Sequence, residues 1–224
     1  MPTISVVIPT KNEVEGIDYV VRETRKVIGN EGEIIIVDEH STDGTLDEAL
    51  RADENIKIFQ RDGSGKGRGI QKAAQVFTGD IFVILDSDAT FDPKDIPNVI
   101  KPILLDQADV VLGSRIKGKM EKEAMNFMHY LGNRFFNLSI SLICGVWITD
   151  SQTGLRAMRS DVIRSLDLVS EGFDIETELT IKCLKNGYRT VEVPITFRCR
   201  KGNSKSKLNA FSDGLLILRR ILFT

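Results

Sequence analysis

Two aspartates one residue apart, Asp86 and Asp88, close the apolar run Ile81-Phe82-Val83-Ile84-Leu85. Five apolar residues in succession read as a strand buried on both faces of a parallel sheet. The acids then stand at the strand's C-terminal end, where open α/β sheets hold their ligands. Residues i and i+2 of an extended chain point the same way, so both carboxylates can face one hard cation carrying diphosphate oxygens. Asp86 and Asp88 are the metal-ligand candidates, for Mg2+ or Mn2+. The competing reading is a polar turn.

More charged residues stand where strands should end. Ile4-Ser5-Val6-Val7-Ile8 runs into Pro9, Asn12 and Glu13, and Glu33-Ile34-Ile35-Ile36-Val37 ends in Asp38. Pro9 cannot donate a backbone hydrogen bond and so marks a strand end. Glu13 and Asp38 can accept from ribose hydroxyls or a base N–H, or serve as helix caps. Gly63 to Gly69, with Lys66 and Arg68 between the glycines, invites a phosphate-loop reading that the spacing rejects. Gln60 stands where the first P-loop glycine belongs and Gly67 where Ser or Thr belongs, and Arg68 breaks a dinucleotide fingerprint. What remains is a basic helix N-terminus able to sit near a diphosphate. Arg115 after the fifth strand is a planar cation suited to phosphate oxygens, or a salt-bridge partner of Asp109 or Glu121. Arg156 either lines a ligand site or holds Asp150 in a bidentate pair. Glu176 and Glu178 are candidates for a general base. Arg198, Arg200, Lys201, Lys205 and Lys207 crowd into ten residues near the C-terminus.

Strands near residues 4–8, 33–37, 56–59, 81–85 and 109–112 alternate with helical patterns. In the first of these, Ile17, Val20, Val21, Thr24, Val27 and Ile28 fall on one helical face. This alternation predicts βαβ units and a mostly parallel sheet. Beyond residue 115 the sequence predicts a helix over 124–143, a second with Ile175, Leu179, Ile181 and Leu184, a strand over 190–197 and a last helix over 211–223. No repeat or low-complexity linker divides the 224 residues, which suffice for one sizeable core. With 42% hydrophobic and 28% charged residues, the chain is neither disordered nor a polytopic membrane protein. A net charge of -2 argues against nucleic acid as a partner. Cys144, Cys183 and Cys199 are too scattered for a disulfide framework or a zinc site and fit a reducing cytoplasm. The N-terminus shows no signal peptide. The longest uncharged stretch, 135–149, is short for a membrane span.

Taken together, "SVVIPTKNE", "IIIVDEHSTDGT", "GSGKGRGIQKA" and "FVILDSDAT" resemble, in order and spacing, the donor half of the inverting GT-A glycosyltransferases of family 2. "VVLGSR", "ITDSQTGLRAM", "FDIETEL", "VEVPITF" and "RKGNSKSKLNAFSDG" are similar to one branch, the polyprenyl (dolichyl) phosphate sugar synthases. The resemblance covers nearly the whole chain. It implies a single α/β domain of GT-A type, with 1–115 the nucleotide-sugar half, 116–210 the acceptor half and 211–224 an amphipathic helix. The implied reaction moves a hexose from a nucleoside diphosphate sugar, GDP-mannose foremost, to a polyprenyl phosphate at the cytoplasmic face of a membrane. A peripheral attachment, or a separate membrane subunit, would bring the enzyme there. By resemblance, Pro9, Asn12, Glu13, Val37, Asp38, Lys66, Asp86 and Ser87 hold the donor. Asp88, Arg115, Glu176, Arg200, Lys205 and Lys207 serve the reaction.

A lipid phosphate is already anionic, so its attack needs charge neutralisation more than a base; a hydroxyl acceptor would need one, with Glu176 in that role. Asp86-Ser87-Asp88-Ala89-Thr90 also matches the D-x-D-x-T of haloacid-dehalogenase-type phosphatases. Two βα units precede it here, and no later paired-acid motif follows. Two departures from the synthases stand out. Their arginine and serine one turn apart on the helix after the fifth strand are missing from 125–134. The basic loop 200–208 carries a two-residue insertion, which leaves Lys205 and Lys207 as alternative working lysines.

Overall fold

The computed structural model describes residues 2–200, 207 and 209–224. In chain order its elements are β1 (Ile4–Thr10), α1 (Val14–Ile28), β2 (Glu33–Asp38), α2 (Thr45–Ala52), β3 (Lys57–Gln60), α3 (Lys66–Val76) and β4 (Ile81–Ile84). There follow α4 (Ile96–Leu104), β5 (Val110–Met120), α5 (Phe127–Cys144), β6 (Arg156–Arg159), α6 (Ser160–Ser165), α7 (Ile175–Lys185), β7 (Thr190–Phe197) and α8 (Ala210–Phe223). The strands form one sheet in the order β3-β2-β1-β4-β6-β5-β7. All neighbours are parallel except β6, which runs antiparallel to both β4 and β5.

The unbroken apolar runs are strands because both of their faces are covered. Ile34, Ile36, Val83 and Leu85 pack with Ile17, Val20 and Val21 of α1 on one face. Ile35, Val37, Phe82 and Ile84 pack with Ile70 of α3 and Leu179 of α7 on the other. A third, smaller cluster (Ile140, Ile181, Ile217 and Ile221) joins α5, α7 and α8.

Several boundaries differ from the sequence reading. β1 continues through Pro9 to Thr10, Pro9 standing opposite Val37 of β2. On its other side β4 has already stopped opposite Val7, so the missing N–H breaks no ladder there. β5 extends well past residue 112, its outer half alternating half-buried and exposed residues, with an irregular register against β7 between Ser114 and Lys119. α5 begins at Phe127 because Asn126 caps it, its Oδ1 accepting the His129 amide at 2.8 Å.

β6 escaped sequence reading because it is four residues long and begins and ends in arginine. Arg156 is the largest fully buried side chain among the described residues. It does not hold Asp150. Its guanidinium donates instead to the carbonyls of Ser151 (3.0 Å), Thr153 (2.8 Å) and Glu176 (3.2 Å), fastening the 151–153 loop to α7. Arg156→Ala would strand those acceptors and leave a cavity, a loss of about 3 kcal/mol or more. The expected readout is a lower urea midpoint at unchanged m.

Candidate active site

At the C-terminal ends of β1, β2 and β4, roofed by α5, α7 and α8, lies a cleft of about 960 Å³. Asp86 and Asp88 stand on the turn after β4 rather than on the strand itself, with Ala89 in the left-handed region at φ 60°. Asp88 is buried. Its Oδ1 accepts from the Thr90 amide (3.0 Å) and hydroxyl (2.6 Å), and its Oδ2 takes Arg200 Nη2 at 2.5 Å. Asp86 pairs with Lys66, whose ammonium also reaches Glu176 at 2.5 Å. Burial works against the charge on Lys66, yet the Asp86 and Glu176 carboxylates hold its pKa above the ordinary lysine range.

The glycines around Lys66 serve a close backbone approach. A Cβ on Gly67 would lie 2.0 Å from the Ser170 carbonyl oxygen. The Gly67 and Arg68 amides donate to Gly172 and Glu171, each at 3.2 Å. The 170–172 loop thus occupies the Gly67 and Arg68 amides, while Gly65 and Lys66 at the start of α3 line the cleft and Lys66 reaches its acids by the side chain.

Of the expected donor residues, Pro9, Glu13, Lys66, Asp86 and Ser87 line the cleft. Asn12, Val37 and Asp38 brace it from behind. Asn12 Oδ1 accepts the Thr42 amide, Asp38 accepts the Ser41 amide and hydroxyl, and Val37 packs in the core. Glu13 Oε1 meets both Arg200 Nη1 (2.8 Å) and Lys207, while its buried Oε2 has no partner among the described residues. Arg200 therefore bridges the two acids Glu13 and Asp88. Lys205 lies outside the described residues.

On the far wall, Arg115 is locked on Asp150 by Nε (2.8 Å) and Nη2 (2.7 Å), not on Asp109 or Glu121, and lies 5.1 Å from the Phe197 ring centroid. Two buried groups hold Asp150 in turn. Glu192 accepts its amide at 2.8 Å, and Asn137 Oδ1 accepts the Ser151 amide at 2.8 Å. Glu178 faces away from the cleft, capping the amides of Val169 and Ser170, and drops out as a candidate base.

Sequence reasoning missed the cleft residues Lys11, Glu39 and Arg61. Glu39 sits next to Asp38, which the sequence reading takes as the acid that ends the apolar run; on an extended chain the neighbour turns the other way. Here it is Glu39 that lines the cleft. It binds Lys11 and Arg61, and it accepts the Gly65 amide at 3.1 Å. Burial pulls the Arg61 pKa down to about 10, opposed by Asp38, which leaves it a cation at neutral pH.

The donor set suits a divalent cation. Among the described residues no group of three or more His, Cys, Asp or Glu gathers around one point. The protein's share would be Asp86 and Asp88, two hard oxygen donors of the kind Mg2+ uses when diphosphate oxygens and water complete its shell. Cationic side chains already sit on both carboxylates, so the position favours positive charge.

An open, mostly parallel sheet with paired acids at a central strand end, facing a cationic wall, is the build of a GT-A glycosyltransferase. Residues 5–167 match the family described as "Glycosyl transferase family 2", and the chain belongs to that family. It is 33% identical to glycosyltransferase AglJ of Haloferax volcanii over 97% of this chain and 71% of that one. It is 31% identical to the undecaprenyl-phosphate mannosyltransferase of Micrococcus luteus (89% and 85%) and 29% identical to the dolichyl-phosphate hexose transferase of Haloferax volcanii (98% and 92%). These relatives agree with the polyprenyl-phosphate branch inferred from sequence. The fold is shared with glucosyl-3-phosphoglycerate synthase of Mycobacterium tuberculosis, solved with Mn2+ and UDP, at a TM-score of 0.80 and 20% identity over 99% of this chain and 79% of that one.

A Cβ on Gly154 would lie 2.2 Å from Asp86 Oδ2. Gly154→Ala is expected to push that carboxylate aside and weaken metal-dependent nucleotide binding by about tenfold or more. Calorimetric titration beside a thermal melt separates this from unfolding.

Proposed function

We propose that this enzyme transfers a hexose from a nucleoside diphosphate sugar to a polyprenyl (dolichyl) phosphate, inverting the anomeric centre. The carrying observation is the charge layout: Arg115, Arg200 and Lys207 line the same cleft as Asp86 and Asp88. Two phosphorylated partners that must approach one another need that positive charge. Glu176, the one candidate base in the cleft, is neutralised by Lys66, which suits an acceptor with no proton to remove better than a hydroxyl. The phosphatase alternative falls with the family assignment.

Asp86 and Asp88 would hold Mg2+ or Mn2+, which when bound offsets the diphosphate charge and stabilises the leaving group. Arg115, fixed by Asp150 and Phe197, presents a guanidinium that needs no reorganisation as charge develops. Arg200 and Lys207 neutralise the incoming phosphate. The resemblance favours GDP-mannose as donor.

The acceptor stays in a bilayer, so the enzyme has to come to the surface. No helix among the described residues is long and apolar enough to cross a membrane. An exposed apolar face runs along α5 through Phe127, Leu131, Phe135, Leu138 and Leu142, with Trp147 just beyond and Phe211, Leu215 and Leu222 on α8. Such faces, with basic residues at hand, bind the interface reversibly. We place the enzyme at the cytoplasmic face of the membrane, as a peripheral protein or beside a membrane subunit. Of the two arginines on α8, Arg219 is exposed, while Arg220 is tied to Asp174 at 2.9 Å.

Asp88→Asn and EDTA should each abolish transfer of radiolabelled hexose into the organic phase from a dolichyl phosphate assay; transfer at the original rate under both would end the metal argument. Arg200→Ala and the joint change of Lys205 and Lys207 to Ala should raise KM for the lipid phosphate more than for the donor. Co-sedimentation with anionic liposomes should fall on Phe135→Ser with Leu138→Ser, and on Arg219→Glu. Preference for a soluble hydroxyl acceptor would overturn the lipid reading.

A further inference from the structure

We infer that Asn137 is a positioning residue for the reaction: from inside α5 it sets the place of Asp150 and, through Asp150, of the Arg115 guanidinium. The inference rests on the role proposed for Arg115 and adds the residue that fixes it. Arg115 stands where the pairing of β5 with β7 is irregular, between Ser114 and Lys119. The ladder therefore does not define its place. Asp150 does, its carboxylate accepting the Arg115 amide at 2.8 Å as well as Nε and Nη2. Where Asp150 lies, Arg115 follows.

Asp150 belongs to no helix or strand, so its own place is set by what holds its neighbours. Glu192 of β7 accepts the amides of Thr149 (2.9 Å) and Asp150 (2.8 Å), and Arg156 takes the Ser151 carbonyl at 3.0 Å. Of the backbone groups of Thr149 and Ser151 two remain, one on each side of Asp150. A single side chain takes both. Asn137 Nδ2 donates to the Thr149 carbonyl at 2.6 Å, while Oδ1 accepts the Ser151 amide (2.8 Å) and hydroxyl (2.7 Å). Only a side chain with donor and acceptor at one tip can span such a pair, and the two contacts fix which way the amide points.

Asn137 is buried and does not line the cleft, so it acts through Asp150 and not on a ligand. Three residues of α5 are buried, and the two polar ones, Asn137 and Ser141, both bind this loop; Ser141 accepts the Ile148 amide at 3.0 Å. The other side of the helix carries Phe135, Leu138 and Leu142 in the open. The seat of α5 and the place of Arg115 are thereby joined through one amide. Glu192 and Arg156 fasten the loop without it, so removing Asn137 frees Asp150 and does not release the segment.

The test is Asn137→Ala in the full chain, with Asn137→Ser as the milder change. The Arg115 Nε–H, followed by heteronuclear NMR well below the melting temperature, should exchange with water about tenfold faster or more in each. Turnover of hexose onto dolichyl phosphate should fall in kcat by about tenfold to a hundredfold. Calorimetric affinity for UDP or GDP with Mg2+ should stay within about twofold, the pattern of a group that acts on the reaction and not on donor binding. In an Arg115→Lys protein, where the fork onto Asp150 is already lost, Asn137→Ala should cost less than about twofold more in kcat, although the melting temperature falls alike in both backgrounds. An unchanged Arg115 Nε–H in a folded variant, or a kcat loss of the same size in the Arg115→Lys protein, would overturn the inference. If the unaltered protein moves no hexose to a lipid phosphate, the acceptor reading falls, and the Nε–H exchange still decides the role of Asn137.

Discussion

Buried carboxylates need counterions, and that one electrostatic requirement organises the cleft. Five acids converge at the ends of β1, β2 and β4 and on α7: Glu13, Glu39, Asp86, Asp88 and Glu176. Each is held by a cation from another part of the chain. Arg61 reaches Glu39 from β3, Lys66 reaches Asp86 and Glu176 from α3, and Arg200 reaches Glu13 and Asp88 from beyond β7. The ion pairs therefore also tie distant segments together across the site. Removing Lys66 or Arg200 would leave a carboxylate, Glu176 or Asp88, buried without its cation, the costly kind of loss.

The same layout separates holding from reacting. Arg115 is fixed from several sides by Asp150, Phe91 and Phe197, and Asp150 is fixed by Glu192. Arg200 and Lys207, by contrast, depend on the acids of the donor side. A wall that is rigid on one side and exchangeable on the other suits a reaction between two polyanions. The rigid side orients charge, and the exchangeable side can give up its internal partners to a ligand.

Much of this was legible in the sequence where a single local rule governs the residue. Apolar runs such as 34–37 and 81–84 became strands because burial on both faces leaves no other reading. The acids after β4, and Lys66 among its glycines, were found from motif and position. What escaped depended on contacts across the chain. Arg156 looks like a ligand-binding cation or a partner of Asp150 until the carbonyls of Ser151, Thr153 and Glu176 are seen around it. Glu39 escaped because Asp38 already stands as the acid that ends the apolar run, and which of two adjacent acids enters the cleft is decided by the turn that follows. The spacing of the glycines at 65 and 67 already excludes a phosphate loop, but their use, to admit a neighbouring backbone, shows only in the fold.

The terminal helix α8 has two faces under different rules. Its outer face carries Phe211, Leu215 and Leu222 in the open, where one large apolar side chain can stand in for another. Its inner face sets Ile217 and Ile221 into a small core and Arg220 on Asp174, immediately before the helix that carries Glu176. Over evolutionary time the two faces should drift at different rates. Outer positions can follow whatever surface the protein meets. Inner ones can change only in step with α7, so the record of the enzyme's chemistry is partly written in the helix that roofs its cleft.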